Sequence, residues 1–170
     1  LYSKHPEFVR NASFATWKDV QKTLVKGDIA IEFVKCCSDG KAVSYAALLL
    51  QPGWERPVII RLSSERDMDA LLAKGARAYL DNERFYSMIW GQIEPYLTGV
   101  KRIYFSSYGV LSQLNIEVLQ NGKGKPMNKA YDIYRVSSTA DLYKGEATSY
   151  AYATLFGGLN YDLDTDSMQS

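Results

Sequence analysis

Histidine and cysteine are scarce in this sequence, with one His and two Cys among 170 residues. The single histidine, His5, stands beside Pro6 in an irregular leading segment, and acid–base catalysis by histidine needs a positioned partner. Cys36 and Cys37 are adjacent, so in a strand they point to opposite faces and are poorly placed to bind one metal ion together. We therefore expect no metal site, no cofactor and no self-contained active site.

Long apolar runs and an excess of one charge are also absent. The longest apolar run, Tyr45–Leu50, is far shorter than the roughly 18 residues of a membrane span. The chain has 20 basic and 19 acidic residues, so no global field attracts nucleic acid or an anionic membrane. Residues Leu1–Arg10 lack the apolar core of a signal peptide. These features predict a cytoplasmic protein with neither nucleic acid nor membrane as a partner.

The first half of the chain predicts one helix followed by three strands. Thr16 and Asp19 have the spacing of a capping box, and Gly27 ends the helix that follows. From Ile29 the apolar residues alternate with others, which is typical of a strand. Turn residues then separate two further apolar runs. The predicted strands are Asp28–Val34, Val43–Leu50 and Pro57–Leu62, arranged as an antiparallel meander.

The second half predicts a pair of helices and then further strands. Ser64 and Asp67 repeat the capping spacing before an apolar stripe that runs from Met68 to Leu80. A second helical face consists of Phe85, Ile89, Ile93 and Leu97. The remaining predicted elements are the strands Arg102–Ser106, Tyr131–Val136 and Tyr152–Tyr161, with a helical turn at Ser138–Asp141. Val110–Leu119 is too irregular to assign. The order favours an α/β or α+β domain with a largely open sheet.

Several segments together resemble the N-terminal part of the CHAT domain. This domain is a caspase-like clan CD cysteine peptidase module, often found behind tetratricopeptide repeats. The matching stretches are Thr16–Val20, Ala30–Val34, Tyr45–Leu48, Trp90 with Glu94–Leu97, Ile103–Ser106, Gly109–Leu111, Tyr134–Thr139 and Leu155–Tyr161. Their order and spacing over about 145 residues make the resemblance specific. Ser112 and Asn115 stand where the family tends to have His and Pro, and neither family residue belongs to the catalytic pair.

The resemblance implies a fold, a domain division and an activity. The fold is an N-terminal helix with antiparallel strands and a helix pair, leading into the first strands of a caspase-like open sheet. Residues 1–15 are a leading linker, 16–161 the N-terminal part of a CHAT-like domain, and 162–170 an acidic tail or processing loop. In the family the catalytic His, in a His-Gly pair, and then the catalytic Cys follow the strand that ends near Tyr161. This chain has neither, so we expect a hydrolase fragment that is inactive alone.

The partners follow from the same resemblance. The expected ones are the catalytic C-terminal half of the same domain, upstream tetratricopeptide repeats, and a protein or peptide substrate. The strand Tyr152–Tyr161 is apolar enough to be central, so we expect poor solubility without the C-terminal half. Asp162, or failing it Asp164, is a candidate substrate-binding residue that selects Lys or Arg before the cut. A solvated acidic loop residue is the other interpretation of both.

Two other functional classes stay open at this point. One is a degenerate CHAT-like interaction module that binds a partner through its open edge and has no enzymatic activity. The other is a small-molecule hydrolase of unknown type. Continuation of the parent reading frame past Ser170 into a His-Gly pair and then a Cys distinguishes the peptidase from the interaction module.

Overall fold

Five strands of the chain form one mixed, open sheet. In a computed structural model, residues 15–36, 44–75 and 82–143 are described. The strands are β1 (Asp28–Cys36), β2 (Ser44–Leu50), β3 (Val58–Ser64), β4 (Arg102–Ser106) and β5 (Asp132–Arg135). Their order in the sheet is β3-β2-β1-β4-β5. β1, β2 and β3 pair antiparallel, which confirms the predicted meander, whereas β1, β4 and β5 run parallel. The chain is therefore an α/β protein.

The helical elements of the described ranges are short. The α-helices are α1 (Trp17–Thr23), α2 (Glu65–Leu72), α3 (Asn82–Tyr86) and α4 (Met127–Ala130). A π-helical turn spans Ser87–Gly91, and 3-10 turns span Glu94–Tyr96, Gly109–Gln113, Ile116–Val118 and Thr139–Leu142. None of these helices is long and apolar enough to cross a membrane.

The start of α1 has the geometry that the sequence predicts. The Asp19 amide donates to Thr16 Oγ1 over 3.3 Å, and the Thr16 amide donates back to Asp19 Oδ2 over 3.1 Å. Gly27 follows the helix with φ +94°, a conformation that favours glycine. Its carbonyl accepts from the amides of Lys101 and Arg102 at 2.7 and 3.1 Å. The helix ends earlier than predicted, at Thr23 with Leu24 as its C-cap, and Gly27 instead holds the start of β4 beside the start of β1.

Two predicted helices are shorter or less regular than expected. α2 begins after its predicted Ser64 cap but ends at Leu72, and Gly75 has φ +57°. Residues 76–80 of the predicted stripe lie outside the described ranges. The second predicted helix is interrupted by the π-helical turn and a 3-10 turn that contains Pro95. Proline has no N–H to continue α-helical bonding, so the helix cannot extend regularly to Leu97.

One face of the sheet, which we call the packed face, carries the main core. Phe33, Trp90 and Phe105 meet edge to face, with ring centroids 6.0–6.2 Å apart. Trp90 is fully buried, and its indole N–H donates to the carbonyl of Ile116 over 2.9 Å. Residues of β1, the segment 85–97 and the 3-10 turns complete this core: Ile29, Ile31, Phe85, Ile89, Ile93, Leu97, Leu111 and Ile116. In the packed face, therefore, the apolar side chains are buried against one another and the Trp90 N–H has a hydrogen-bond acceptor.

The opposite face, which we call the outer face, is covered by much less structure. Its strand residues include Ala30, Glu32, Val34, Ala46, Leu48, Leu50, Tyr104, Ser106 and Tyr134. A small cluster forms where Val20 and Leu24 of α1 meet Ala30 and Leu50, with Leu142 and Tyr104 packed against it. α1 and the turn Thr139–Leu142 are thus the described elements that lie over this face.

Several predicted features lie outside the described residues. They are His5, Cys37, the strand Tyr152–Tyr161 and the tail 162–170. Of the two cysteines, Cys36 is described: it is free and half-buried, and its Sγ donates to the carbonyl of Ser44 over 3.3 Å.

Candidate functional site

The candidate site lies on the outer face, where two cross-strand rows are aligned by the sheet register. In one row Leu48, Glu32 and Ser106 are neighbours on β2, β1 and β4. In the next row Ala30 lies between Leu50 and Tyr104, and Tyr104 pairs with Tyr134 of β5. The only carboxylate in these two rows is that of Glu32.

A pocket of about 240 Å³ lies between α1 and the turn Thr139–Leu142, and we call it the Glu32 pocket. Its floor is the sheet and its walls are the two covering elements. Its apolar lining comes from Trp17, Val20, Ala30, Leu48, Leu50 and Pro57, and its polar lining from Glu32, Ser138 and Thr139. Trp17, Glu32, Leu48 and Thr139 are only half-buried, so solvent reaches the pocket.

The Glu32 carboxylate is held at the pocket wall by Thr139. Its Oε2 accepts from the Thr139 amide at 2.8 Å and from the Thr139 hydroxyl at 2.6 Å. The turn that carries Thr139 is itself ordered by Ser138, whose hydroxyl accepts from the Ala140 amide over 3.2 Å. Ser106 Oγ also donates to the carbonyl of Ser137 over 2.9 Å. The segment is therefore tied to β1 and β4 at the carboxyl ends of these parallel strands.

β5 is an edge strand within the described residues. The amides of Asp132 and Val136 donate at 2.9 Å to the carbonyls of Lys101, just before β4, and of Phe105 in β4. Bonding alternates along a strand, so the backbone groups of Ile133 and Arg135 point away from β4. Tyr134 is 49% exposed and stacks on Tyr104, with ring centroids 5.2 Å apart. This edge combines backbone groups directed outward with an exposed aromatic side chain.

Arg135 fixes the end of this edge strand. Its guanidinium contacts both carboxylate oxygens of Glu117 at 2.8 and 2.9 Å and donates to the Leu114 carbonyl at 2.7 Å. It also lies 5.1 Å from the centroid of the Phe105 ring. These contacts link β5 to the core of the packed face and to the 3-10 turns. They hold the edge strand in place.

The amino ends of the parallel strands are held by an ion pair. Arg102 makes two hydrogen bonds to the buried carboxylate of Asp28, at 2.7 and 3.2 Å. The bonded carboxylate raises the pKa of Arg102. Asp28 Oδ2 also accepts from the Val25 amide over 3.0 Å. Both charges are engaged, so this cluster is structural.

The candidate residues suggested by the sequence and the described residues of the Glu32 pocket are different sets. The candidate substrate residues Asp162 and Asp164 lie outside the described residues. Ser112, which stands where the resembled family tends to have His, donates to the Ser107 carbonyl over 3.0 Å at the surface. Sequence reasoning missed Glu32 as a site residue. An acidic residue in the interior of the largely apolar strand β1 was the available signal, but its partner lies 107 positions further along the chain.

The described residues contain no group of three His, Cys, Asp or Glu side chains that could hold a metal ion. No family model, no curated protein and no solved structure matches the chain. The sheet edge at β5 and the Glu32 pocket are therefore the two candidate functional features of the described residues.

Proposed function

We propose that this chain is the non-catalytic N-terminal portion of a cytoplasmic caspase-like cysteine peptidase of the CHAT type. In this proposal it supplies a sheet scaffold, and part of the substrate pocket, to a catalytic C-terminal half. The observation that carries the proposal is the parallel run β1-β4-β5, which ends in an edge strand within the described residues. The second support is the resemblance of segments between Thr16 and Tyr161 to the first half of that domain.

The edge at β5 suits the addition of further sheet. Exposed strand edges pair with other polypeptide segments, and main-chain hydrogen bonds supply the affinity. The outward backbone groups of Ile133 and Arg135 provide such bonds, and Tyr134 provides an aromatic anchor of the kind enriched at interfaces. The other edge strand, β3, exposes Ile59 at 69% but belongs to the antiparallel meander, away from the parallel strands.

The chemistry belongs to the whole peptidase. A catalytic Cys thiolate attacks the peptide carbonyl while a His assists proton transfer, and the resemblance assigns both residues to the C-terminal half. This chain contributes no catalytic residue in the proposal. Asp162, or failing it Asp164, stays our candidate for selecting a basic residue before the cut. Upstream tetratricopeptide repeats stay the expected neighbouring module.

Reconstitution tests the proposal. The parent reading frame beyond Ser170 is expected to encode a His-Gly pair and then a Cys. Mixing residues 1–170 with that polypeptide is expected to give peptidase activity that neither part has alone, and that is lost when the catalytic Cys of the partner becomes Ala. A reading frame without the pair, or a C-terminal half fully active by itself, would contradict the proposal.

The second candidate is a degenerate CHAT-like interaction module without enzymatic activity. The Glu32 pocket favours it, because this half-buried site lies on the face of the sheet and needs no catalytic half to bind a ligand. The same reconstitution separates the two candidates: a complex that forms without any peptidase activity supports the interaction module.

A further inference from the structure

The Glu32 pocket joins apolar walls to a single fixed carboxylate. We propose that it binds an aliphatic ammonium group, such as a lysine side chain, with the apolar stem against Trp17 and Leu48 and the cation on Glu32 Oε1. The proposal goes beyond the function proposed above, because it requires neither a catalytic half nor a peptide cleavage.

The hydrogen bonding of Glu32 leaves one oxygen available. Both bonds from Thr139 go to Oε2, and no residue of the described ranges donates to Oε1. Glu32 is half-buried and lines the pocket, so the proposal assigns Oε1 to the ligand. The two donors are neutral, so they position the carboxylate without neutralising it.

No cationic side chain of the described ranges pairs with Glu32, in contrast with other carboxylates of the fold. Asp28 pairs with Arg102, and Glu117 pairs with Arg135. A half-buried carboxylate is stabilised by an opposite charge because the surrounding protein screens less than water does. The missing charge is therefore what a ligand of this pocket supplies.

The apolar walls of the Glu32 pocket favour a ligand whose cation is attached to an apolar chain. Trp17, Val20, Leu48, Leu50 and Pro57 offer apolar surface, which favours a hydrocarbon stem over a small inorganic cation. The volume, about 240 Å³, falls below the roughly 300–1,000 Å³ of typical small-molecule pockets, so one side chain suits it better than a cofactor.

The geometry also favours ammonium over guanidinium. Arginine binds carboxylates best through two parallel hydrogen bonds that use both oxygens. Oε2 of Glu32 already accepts two hydrogen bonds from Thr139, whereas one oxygen is enough for the compact ammonium of lysine.

Titration of the full chain with model ligands tests this proposal. The probe is Nα-acetyl-lysine methylamide, added to ¹⁵N-labelled protein while the Trp17 indole and the Glu32 and Thr139 amides are followed by NMR. The comparison ligands are the neutral Nε-acetylated derivative, the arginine analogue and n-butylammonium. We expect the lysine probe to shift these signals and to bind at least about tenfold more tightly than its Nε-acetylated form, because charge-assisted hydrogen bonds are the strong ones.

Three variants locate the binding. Glu32→Gln keeps an oxygen for Thr139 but removes the charge, and is expected to weaken the lysine probe by about tenfold or more. Glu55→Gln changes an exposed carboxylate near Pro57 that does not line the pocket, and is expected to leave affinity unchanged. Ala140→Leu fills the pocket from its wall and is expected to abolish the shifts.

The outcomes are decisive in either direction. Equal binding of the acetylated and charged probes, no shifts up to the solubility limit of the probe, or an unchanged affinity in Glu32→Gln would overturn the proposal. If Glu32→Gln fails to fold, the comparison of ligands on the unaltered chain decides alone. Tighter binding of the peptide-like probe than of n-butylammonium identifies a polypeptide lysine as the ligand, and equal binding identifies a free amine.

Discussion

The two faces of the sheet differ in the size and polarity of the side chains that the same strand places on each of them. From β1, Ile29, Ile31 and Phe33 go to the packed face and are fully buried, whereas Ala30 and Glu32 go to the outer face. Large branched and aromatic side chains fill the packed face. A small residue and an acidic one leave room on the outer face for the Glu32 pocket. The contrast indicates that the packed face supplies most of the stability, and our proposal assigns ligand recognition to the outer face.

The largest expected effect comes from deleting an aromatic ring on the packed face. Phe33→Ala removes contacts with both Trp90 and Phe105 and is expected to lower the free energy of unfolding by about 3–5 kcal/mol. Val34→Ala, one position along on the outer face, is expected to cost about 1 kcal/mol or less, since Val34 is only half-buried. Urea unfolding followed by circular dichroism measures both. Equal losses would show that the two faces stabilise the fold alike.

A smaller effect is expected where the loop after β4 touches the packed face. Gly109 has φ +59°, and a Cβ there would lie 2.7 Å from the hydroxyl of Tyr45. That hydroxyl accepts from the Val110 amide over 3.2 Å. Gly109→Ala is therefore expected to cost about 2–3 kcal/mol, from backbone strain of about 1–2 kcal/mol together with the displaced Tyr45 contact.

Gly124→Ala is the matched control for Gly109→Ala. Gly124 has φ +71°, but a Cβ there meets nothing within 4 Å, so only the backbone strain of about 1–2 kcal/mol applies. The same unfolding measurement compares the two variants. If Gly109→Ala lowers the free energy of unfolding no more than Gly124→Ala does, the contact with Tyr45 does not contribute to the loss.

The smallest expected effect is a pH dependence of the α1 cap, at the edge of the outer face. The hydrogen bond from the Thr16 side chain, followed by that from Lys22, lowers the pKa of Asp19 from 3.8 to about 2. Because the pKa of Asp19 is lower in the folded state, the carboxylate contributes fully to stability at pH values above its unfolded pKa. This contribution is lost as the pH falls through 3.8 toward 2. Carbon NMR of the Asp19 carboxyl measures this pKa, and Asp19→Asn is expected to remove this part of the acid dependence. An ordinary pKa for Asp19 would contradict the capping geometry.

Local patterns in the sequence predicted the elements whose causes are local. The alternation around Ile29 predicted β1 and its two faces, and the Thr16–Asp19 spacing predicted the start of α1. The helical face Phe85, Ile89, Ile93 and Leu97 is buried as expected, although the segment is not one regular helix. A spacing of four residues is compatible with both α- and π-helical turns, so the pattern alone did not reveal the interruption.

Local sequence patterns did not predict the contacts between segments that are far apart in the chain. The parallel pairing of β1 with β4 joins residues that are about 74 positions apart, such as Asp28 and Arg102. The Glu32–Thr139 contact joins β1 to a turn near the end of the described residues. No short-range pattern encodes such pairs, because they follow from how the whole sheet is assembled. The candidate site is built from these contacts, which is why the sequence alone did not locate it.

The division between a stabilising face and a recognition side is tested most directly by one measurement. It is the affinity of residues 1–170 for the C-terminal half that we propose. Tyr134→Glu places a charge at the β5 edge, and Ile59→Glu places one at a similarly exposed apolar position on the other edge strand, β3. We expect at least about tenfold weaker binding for Tyr134→Glu and unchanged binding for Ile59→Glu. In urea unfolding, Tyr134→Glu is expected to lose only the stacking with Tyr104, about 0.5–1.5 kcal/mol. Unchanged binding of Tyr134→Glu, or weakening only by Ile59→Glu, would contradict this division.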